Sequence, residues 1–112
     1  MDVSNCPKLT GDLNLSGCIN IKEIYADGSG ITSLSLPNGG YVNKLVLPRS
    51  FNNLILKGQQ FLKNEGIILN DPTSLLQLNI DNCKQLDVLS LLEQCKNDFG
   101  YTVKFLRLTN VD

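Results

Sequence analysis

Apolar and polar residues alternate along this chain in short bursts of apolar-x-apolar. The bursts start at Leu13, Ile24, Leu34, Leu45, Leu54, Ile67, Leu78, Leu89 and Leu106. A period of two places alternate side chains on one face of an extended strand, so each burst predicts a short half-buried strand. The starts fall into two alternating series. Leu13, Leu34, Leu54, Leu78 and Leu106 stand 21, 20, 24 and 28 residues apart. Ile24, Leu45 and Ile67 lie between them. Self-similarity at such intervals predicts a solenoid of about five coils, each with a main and a return side.

Within this frame Leu13, Leu15, Leu34, Leu36, Leu54, Leu56, Leu78, Ile80, Leu106 and Leu108 are expected to point inward from a parallel main sheet. Ile24 and Ala26, Leu45 and Leu47, and Ile67 and Leu69 face the same core from the return side. Corners are expected at Asp27-Gly28-Ser29-Gly30, Pro37-Asn38-Gly39-Gly40 and Asn70-Asp71-Pro72. Pro37 and Pro48 each follow an L-x-L pair directly, where a residue without an N–H ends a strand. The last return side differs. Leu86, Leu89, Leu92 and Cys95 recur at helical spacing without Gly or Pro, predicting a short helix at 86–96 closed by Asn97-Asp98-Phe99-Gly100. A helix rises only about 1.5 Å per residue, so it accounts for the longest interval. A weaker helical turn is expected between Gln59 and Asn64.

The full comb reads Leu75-x-x-Leu78-x-Ile80-x-x-Cys83-x-x-Leu86. It recurs as Leu13-x-Leu15-x-x-Cys18-x-x-Ile21 and Phe51-x-x-Leu54-x-Leu56-x-x-Gln59-x-x-Leu62, and in part as Val103-x-x-Leu106-x-Leu108-x-x-Val111. These residues resemble the leucine-rich repeat family across nearly the whole chain. The Cys/Asn slot departs from the family in three coils, where it holds Gly39, Gln59 and Val111. The resemblance implies an α/β solenoid dominated by β: a right-handed coil with a parallel sheet, one short helix near 86–96 and a protein-binding role. It implies no shared catalytic activity, because fold does not fix function.

The four cysteines change the picture less than their number suggests. Cys6 and Cys18 are twelve residues apart, as are Cys83 and Cys95. A disulfide framework or a metal site is one reading. The repeat frame favours another: Cys6, Cys18 and Cys83 each follow an apolar strand position by three residues. That slot turns inward and suits a small, buried free thiol. There is no His and no C-x-x-C, so zinc spacing is missing.

Among 112 residues the net charge is −1 and the basic residues make no run, which gives nucleic acid no electrostatic footprint. Three Tyr, four Phe and no Trp make a base-stacking platform improbable. No segment approaches the roughly 20 apolar residues of a membrane span, so no membrane insertion is expected. Residues 1–112 read as one domain. The chain opens inside a repeat at Asp2-Val3-Ser4-Asn5-Cys6 and stops after a strand, without capping segments. The expectation is a fragment of a longer protein or an uncapped solenoid whose open ends meet neighbouring chains. Location stays open: cell surface, secreted or virion-associated for a piece of a larger protein, otherwise cytoplasmic.

Two surfaces are candidates for contact. The residues between the paired apolars of the main sheet are Asn14, Ser35, Ile55, Asn79 and Arg107, a small, polar and mixed row flanked by Asp12, Ser33, Asn53, Gln77, Lys57, Asp81 and Phe105. Short side chains lose little entropy when a ligand docks. On the return side Tyr25, Val46 and Ile68 face outward, and stacked together they form an apolar stripe of the kind that marks an interface. Catalytic chemistry finds no support. Without His the thiols lack a general base, and no phosphate-binding glycine motif occurs. No cofactor or metal is expected. The sequence points to a non-enzymatic protein–protein interaction module, with a structural subunit of a virion or cell-surface assembly as the alternative.

Overall fold

The computed structural model describes residues 1–110. It is a parallel-sheet solenoid dominated by β structure, with one short helix. The main sheet holds β1 (Thr10–Asn14), β3 (Gly30–Ser35), β5 (Asn53–Lys57), β7 (Gln77–Asp81) and β10 (Phe105–Thr109), in that spatial order. The return sheet holds β2 (Glu23–Tyr25), β4 (Lys44–Leu47) and β6 (Ile67–Leu69). Pairing joins equivalent positions of successive coils: Leu54 with Leu78, Leu78 with Leu106, and Leu45 with Ile67. The L-x-L pattern therefore sets the register, because a one-residue slip would turn each apolar set outward.

Between the sheets lie Ile24, Ala26, Leu34, Leu45, Leu47, Leu54, Leu56, Leu78 and Ile80, all buried. Burying each Leu or Ile contributes about 1.5–3 kcal/mol, but only when a neighbouring coil covers it. The last main strand shows the consequence. Leu106 and Leu108 pair with Leu78 and Ile80, yet are 47% and 44% exposed, against 1% and 0% for their neighbours. The inward direction expected of them holds by register, but no further coil among the described residues covers them. Residues 1–5 lie against β2: Val3 N–H donates to the Tyr25 carbonyl at 2.7 Å and Asn5 N–H to Asp27 at 2.8 Å. The Cys6 corner thus belongs to the return side, unlike the corners of Cys18 and Cys83.

The helix is α1 (Val88–Gln94), shorter than expected and with a different buried face. Leu91 and Cys95 are buried, and Val88 and Leu92 pack beside them, whereas Leu89 is 65% exposed. Asp87 sets this phase. As N-cap it accepts from the Ser90 N–H, and its backbone is held by Asn64 one coil earlier. After α1 the antiparallel pair β8 (Lys96–Asn97) and β9 (Gly100–Tyr101) turns at Asp98-Phe99. The helical turn expected at 59–64 is displaced to a 3-10 turn at Asn64–Gly66.

The corners are tied coil to coil by side chains bonded to backbone carbonyls. Before β5, Ser50 Oγ donates to Ile31 O at 2.6 Å. Before β7, Ser74 Oγ donates to Phe51 O at 2.7 Å, and Thr102 Oγ1, before β10, to Leu75 O at 3.2 Å. Gly30 has no side chain there, and its N–H bonds Leu9 O instead. After the main strands, Gly58, Asn82 and Asn110 take left-handed φ values of 65°, 55° and 51°. Gly58 N–H reaches Asp81 O and Asn82 N–H reaches Thr109 O, so this turn is also stacked.

The cysteine slot splits. Cys83 and Cys95 are buried free thiols, and burial raises the pKa of each. Cys6 and Cys18 are free but exposed, contrary to the inward slot expected for them. Cys6 precedes the first main strand and Cys18 follows it, and no earlier coil among the described residues covers either corner. Gln59 fills the slot in another coil. It is fully buried, and Nε2 donates to Pro37 O at 2.8 Å and Lys57 O at 2.9 Å. The slot position of Val111 lies outside the described residues.

Candidate functional site

Polar residues alternate with the core leucines on the main sheet, so the outer face is a grid of aligned columns. Asp12 pairs with Ser33, Ser33 with Asn53, Asn53 with Gln77 and Gln77 with Phe105. In the next column Asn14 pairs with Ser35, Ile55 with Asn79 and Asn79 with Arg107. The five residues singled out from the sequence are all on this face, but they do not form one site.

Asn14 and Ser35 are engaged at the first end of the grid. A register shift after Gly11 swings Asp12 so that it accepts from Ser33 Oγ at 2.7 Å and Ser35 Oγ at 3.1 Å. Asn14 Oδ1 accepts from the Ser16 hydroxyl at 2.7 Å and the Ser16 N–H at 3.0 Å. Their polar capacity is largely spent within the fold.

Ile55, Asn79 and Arg107 converge at the other end. They line a shallow depression of about 430 Å³ with Asn53, Gln77, Lys104 and Phe105. An adjoining hollow of about 250 Å³ shares these three residues and adds Lys57, Asp81 and Thr109. Ile55 is 44% exposed and Phe105 65%, so an aliphatic and an aromatic wall stand open to solvent. Lys57, Lys104 and Arg107 form no ion pair among the described residues. The one acid, Asp81, accepts from Asn110 Nδ2 at 3.0 Å. The surface combines apolar walls and amides with three cations and one acid. Phe105 and Lys104 gain their importance from the coil beside them, through depressions that only the stacked register creates.

No family model, curated protein or solved structure matches this chain.

The return face carries the second surface. Tyr25, Val46 and Ile68 align across β2, β4 and β6 as expected. Ile68 is exposed, while Tyr25 and Val46 are half-buried. Lys44 Nζ lies 5.5 Å from the Tyr25 ring centroid, a cation–π contact that partly covers the ring. The sequence reading missed an exposed aromatic pair: Tyr41 and Phe61 stack with centroids 5.8 Å apart. Their spacing of one coil was the available signal. Phe61 and Ile68 border a depression of about 430 Å³ with Glu23, Asn43, Lys44, Lys63, Glu65 and Gly66. Gly66 is required there, because a Cβ would collide with the Asn43 carbonyl.

Among the described residues no group of three His, Cys, Asp or Glu could hold a metal ion. No helix among them is long and apolar enough to cross a membrane.

Proposed function

We propose that this chain is a leucine-rich-repeat module that binds a protein partner on the outer face of β5, β7 and β10, without catalysis. The observation that supports this reading is the convergence of Ile55 and Phe105 with Arg107, Lys57 and Lys104 around one depression. Exposed apolar side chains beside a planar guanidinium have the composition of binding hot spots. The test is a selection of random peptides displayed on phage against the purified chain. Enriched peptides should lose at least about tenfold in affinity for the Phe105→Ser/Arg107→Glu variant. Equal binding to both proteins, or no enrichment, would overturn the reading.

A further inference from the structure

We infer that the depression between β5 and β10 takes an acidic, extended peptide segment, with one large apolar side chain set between carboxylates. This rests on the protein-binding reading of the same face and names the chemistry of the partner.

The parallel register lays the site out in rows. Asn53, Gln77 and Phe105 form one row across β5, β7 and β10, and Ile55, Asn79 and Arg107 form the next. Lys57, Asp81 and Thr109 form the third. Strands about 4.8 Å apart put β5 and β10 about 10 Å from one another, and three rows span about 13 Å along the strands. Asn79 and Asp81 on the middle strand are half-buried, whereas Ile55 and Phe105 on the flanking strands are exposed. The depression thus runs along β7, with room for one extended chain of about five residues.

Charge decides the occupant. Lys104 and Arg107 border the depression, and no acid does. The adjoining hollow adds Lys57 and Asp81. Three cations against one acid leave two positive charges here, on a chain whose net charge is −1. Asp12 stands at the far end of the Phe105 row, on β1, and puts the opposite sign there. The face is therefore polarised, and a carboxylate is drawn to its β10 half and turned away from its β1 half.

The apolar and amide groups supply the rest. Lys104 precedes the Phe105 row and Lys57 follows the Ile55 row, so cations stand at both ends of the apolar pair. Arg107 faces Ile55 across β7. A peptide side chain seated on Phe105 and Ile55 has a cation within reach on either side. Asn53, Gln77 and Asn79 make no side-chain hydrogen bond among the described residues, so their amides are free to pair with a peptide backbone. Phe105 is the one aromatic side chain bordering the depression, which leaves a run of bases without a stacking platform.

The experiment takes the peptides that phage selection enriches on the whole chain and that lose affinity for Phe105→Ser/Arg107→Glu, and measures each by fluorescence anisotropy. Circular dichroism confirms that every variant is folded. The peptides should carry acidic residues on both sides of an aromatic or large aliphatic one. Their affinity should fall about tenfold or more between about 50 mM and 500 mM NaCl. Arg107→Glu and Lys104→Glu should each weaken binding by about tenfold. A peptide whose acids are changed to lysine should prefer Arg107→Glu to wild type. Lys63→Glu, the same charge change on the return side, should alter affinity by less than about twofold. Peptides that use this face but are neutral or basic, or whose affinity ignores salt, overturn the inference and leave the protein-binding reading standing. An equal loss from Lys63→Glu, or competition by a single-stranded oligodeoxynucleotide as strong as by the peptide itself, overturns it in the same way. No enrichment, or equal binding to Phe105→Ser/Arg107→Glu, overturns both.

Discussion

Ser74 Oγ donates to the carbonyl of Phe51, 23 residues earlier in the chain, at 2.7 Å. The same position before β5 joins Ser50 to Ile31, and before β10 joins Thr102 to Leu75. A hydroxyl ladder thus runs up one corner of the solenoid. It satisfies carbonyls that the turn would otherwise leave unpaired, which cost about 1–3 kcal/mol each when buried.

Ser74→Ala should therefore destabilise the chain by about 1–2 kcal/mol. Thr102→Val keeps the shape of a buried side chain and removes its bonds to Leu75 O and Cys95 O, so it should cost a similar amount. Urea denaturation monitored by circular dichroism checks both. Ser16→Ala serves as the control, since Ser16 bonds only an exposed Asn14. It should shift the midpoint little.

The stacked left-handed turn makes a paired prediction. Gly58 has φ 65°, and a Cβ there would press on the Asn38 side chain and lie 2.9 Å from Gly39 N. Gly58→Ala should cost about 1–3 kcal/mol, combining backbone strain with a collision. Asn82 occupies the equivalent turn one coil later at φ 55° and already carries a Cβ. Asn82→Gly should change stability by less than about 0.5 kcal/mol. Equal effects from the two substitutions would show that the turns are not equivalent.

The thiols should react with a thiol reagent in two classes. Cys6 and Cys18 are exposed, so a thiol reagent should modify them at once in the native protein. Cys83 and Cys95 should react only as the chain unfolds. Burial pushes both buried thiols above the ordinary range. A thiol whose folded pKa is raised gives stability that is fully present below its unfolded pKa. That stability is lost as pH rises from about 8.5 through the folded value. Replacing Cys95 with Ala should flatten this alkaline loss, although the cavity lowers stability at every pH. Denaturation midpoints between about pH 7 and pH 10 would show it.

The coil architecture was legible because one apolar comb is repeated, and the stacking register follows directly from it. Leu54, Leu78, Leu45 and Ile67 lie where the pattern puts them. What the pattern could not supply was the neighbourhood of a coil. Cys18 and Cys83 have the same local sequence frame, yet only Cys83 has the corner of an earlier coil, at Gly58 and Gln59, beside it and is buried. Leu108 has the same frame as Ile80 and is exposed for the same reason. The helix phase was misread because Leu86, Leu89 and Leu92 share a three-residue spacing. The cap at Asp87 and the tie from Asn64 rotate the helix to bury Leu91. Of the outer-face row, Ile55, Asn79 and Arg107 come together, while Asn14 and Ser35 are consumed by local bonds. The hydroxyls of Ser50, Ser74 and Thr102 each precede the first apolar residue of a comb. That regularity was visible, but its purpose depends on a carbonyl one coil away.

Gln59 gives the sharpest test of the corner. Its Nε2 holds two carbonyls, while its Oε1 is buried with no partner among the described residues. Gln59→Glu removes both donors and introduces a carboxyl of the same shape. Ionised, that carboxylate would face the Pro37 and Lys57 carbonyls without a compensating cation, so it should cost several kcal/mol near neutral pH. Protonated, it regains one O–H donor and can bond one of the two carbonyls. Burial therefore raises its folded pKa above the unfolded value of about 4.3. The variant's deficit relative to wild type should be smallest below that pH and should grow as pH rises through the folded pKa. Gln59→Met, which cannot ionise, should show a deficit that does not change with pH. Urea midpoints of the three proteins between about pH 4 and pH 8 separate these outcomes. Parallel pH curves for Gln59→Glu and Gln59→Met would show that the slot is open to water and does not close the corner.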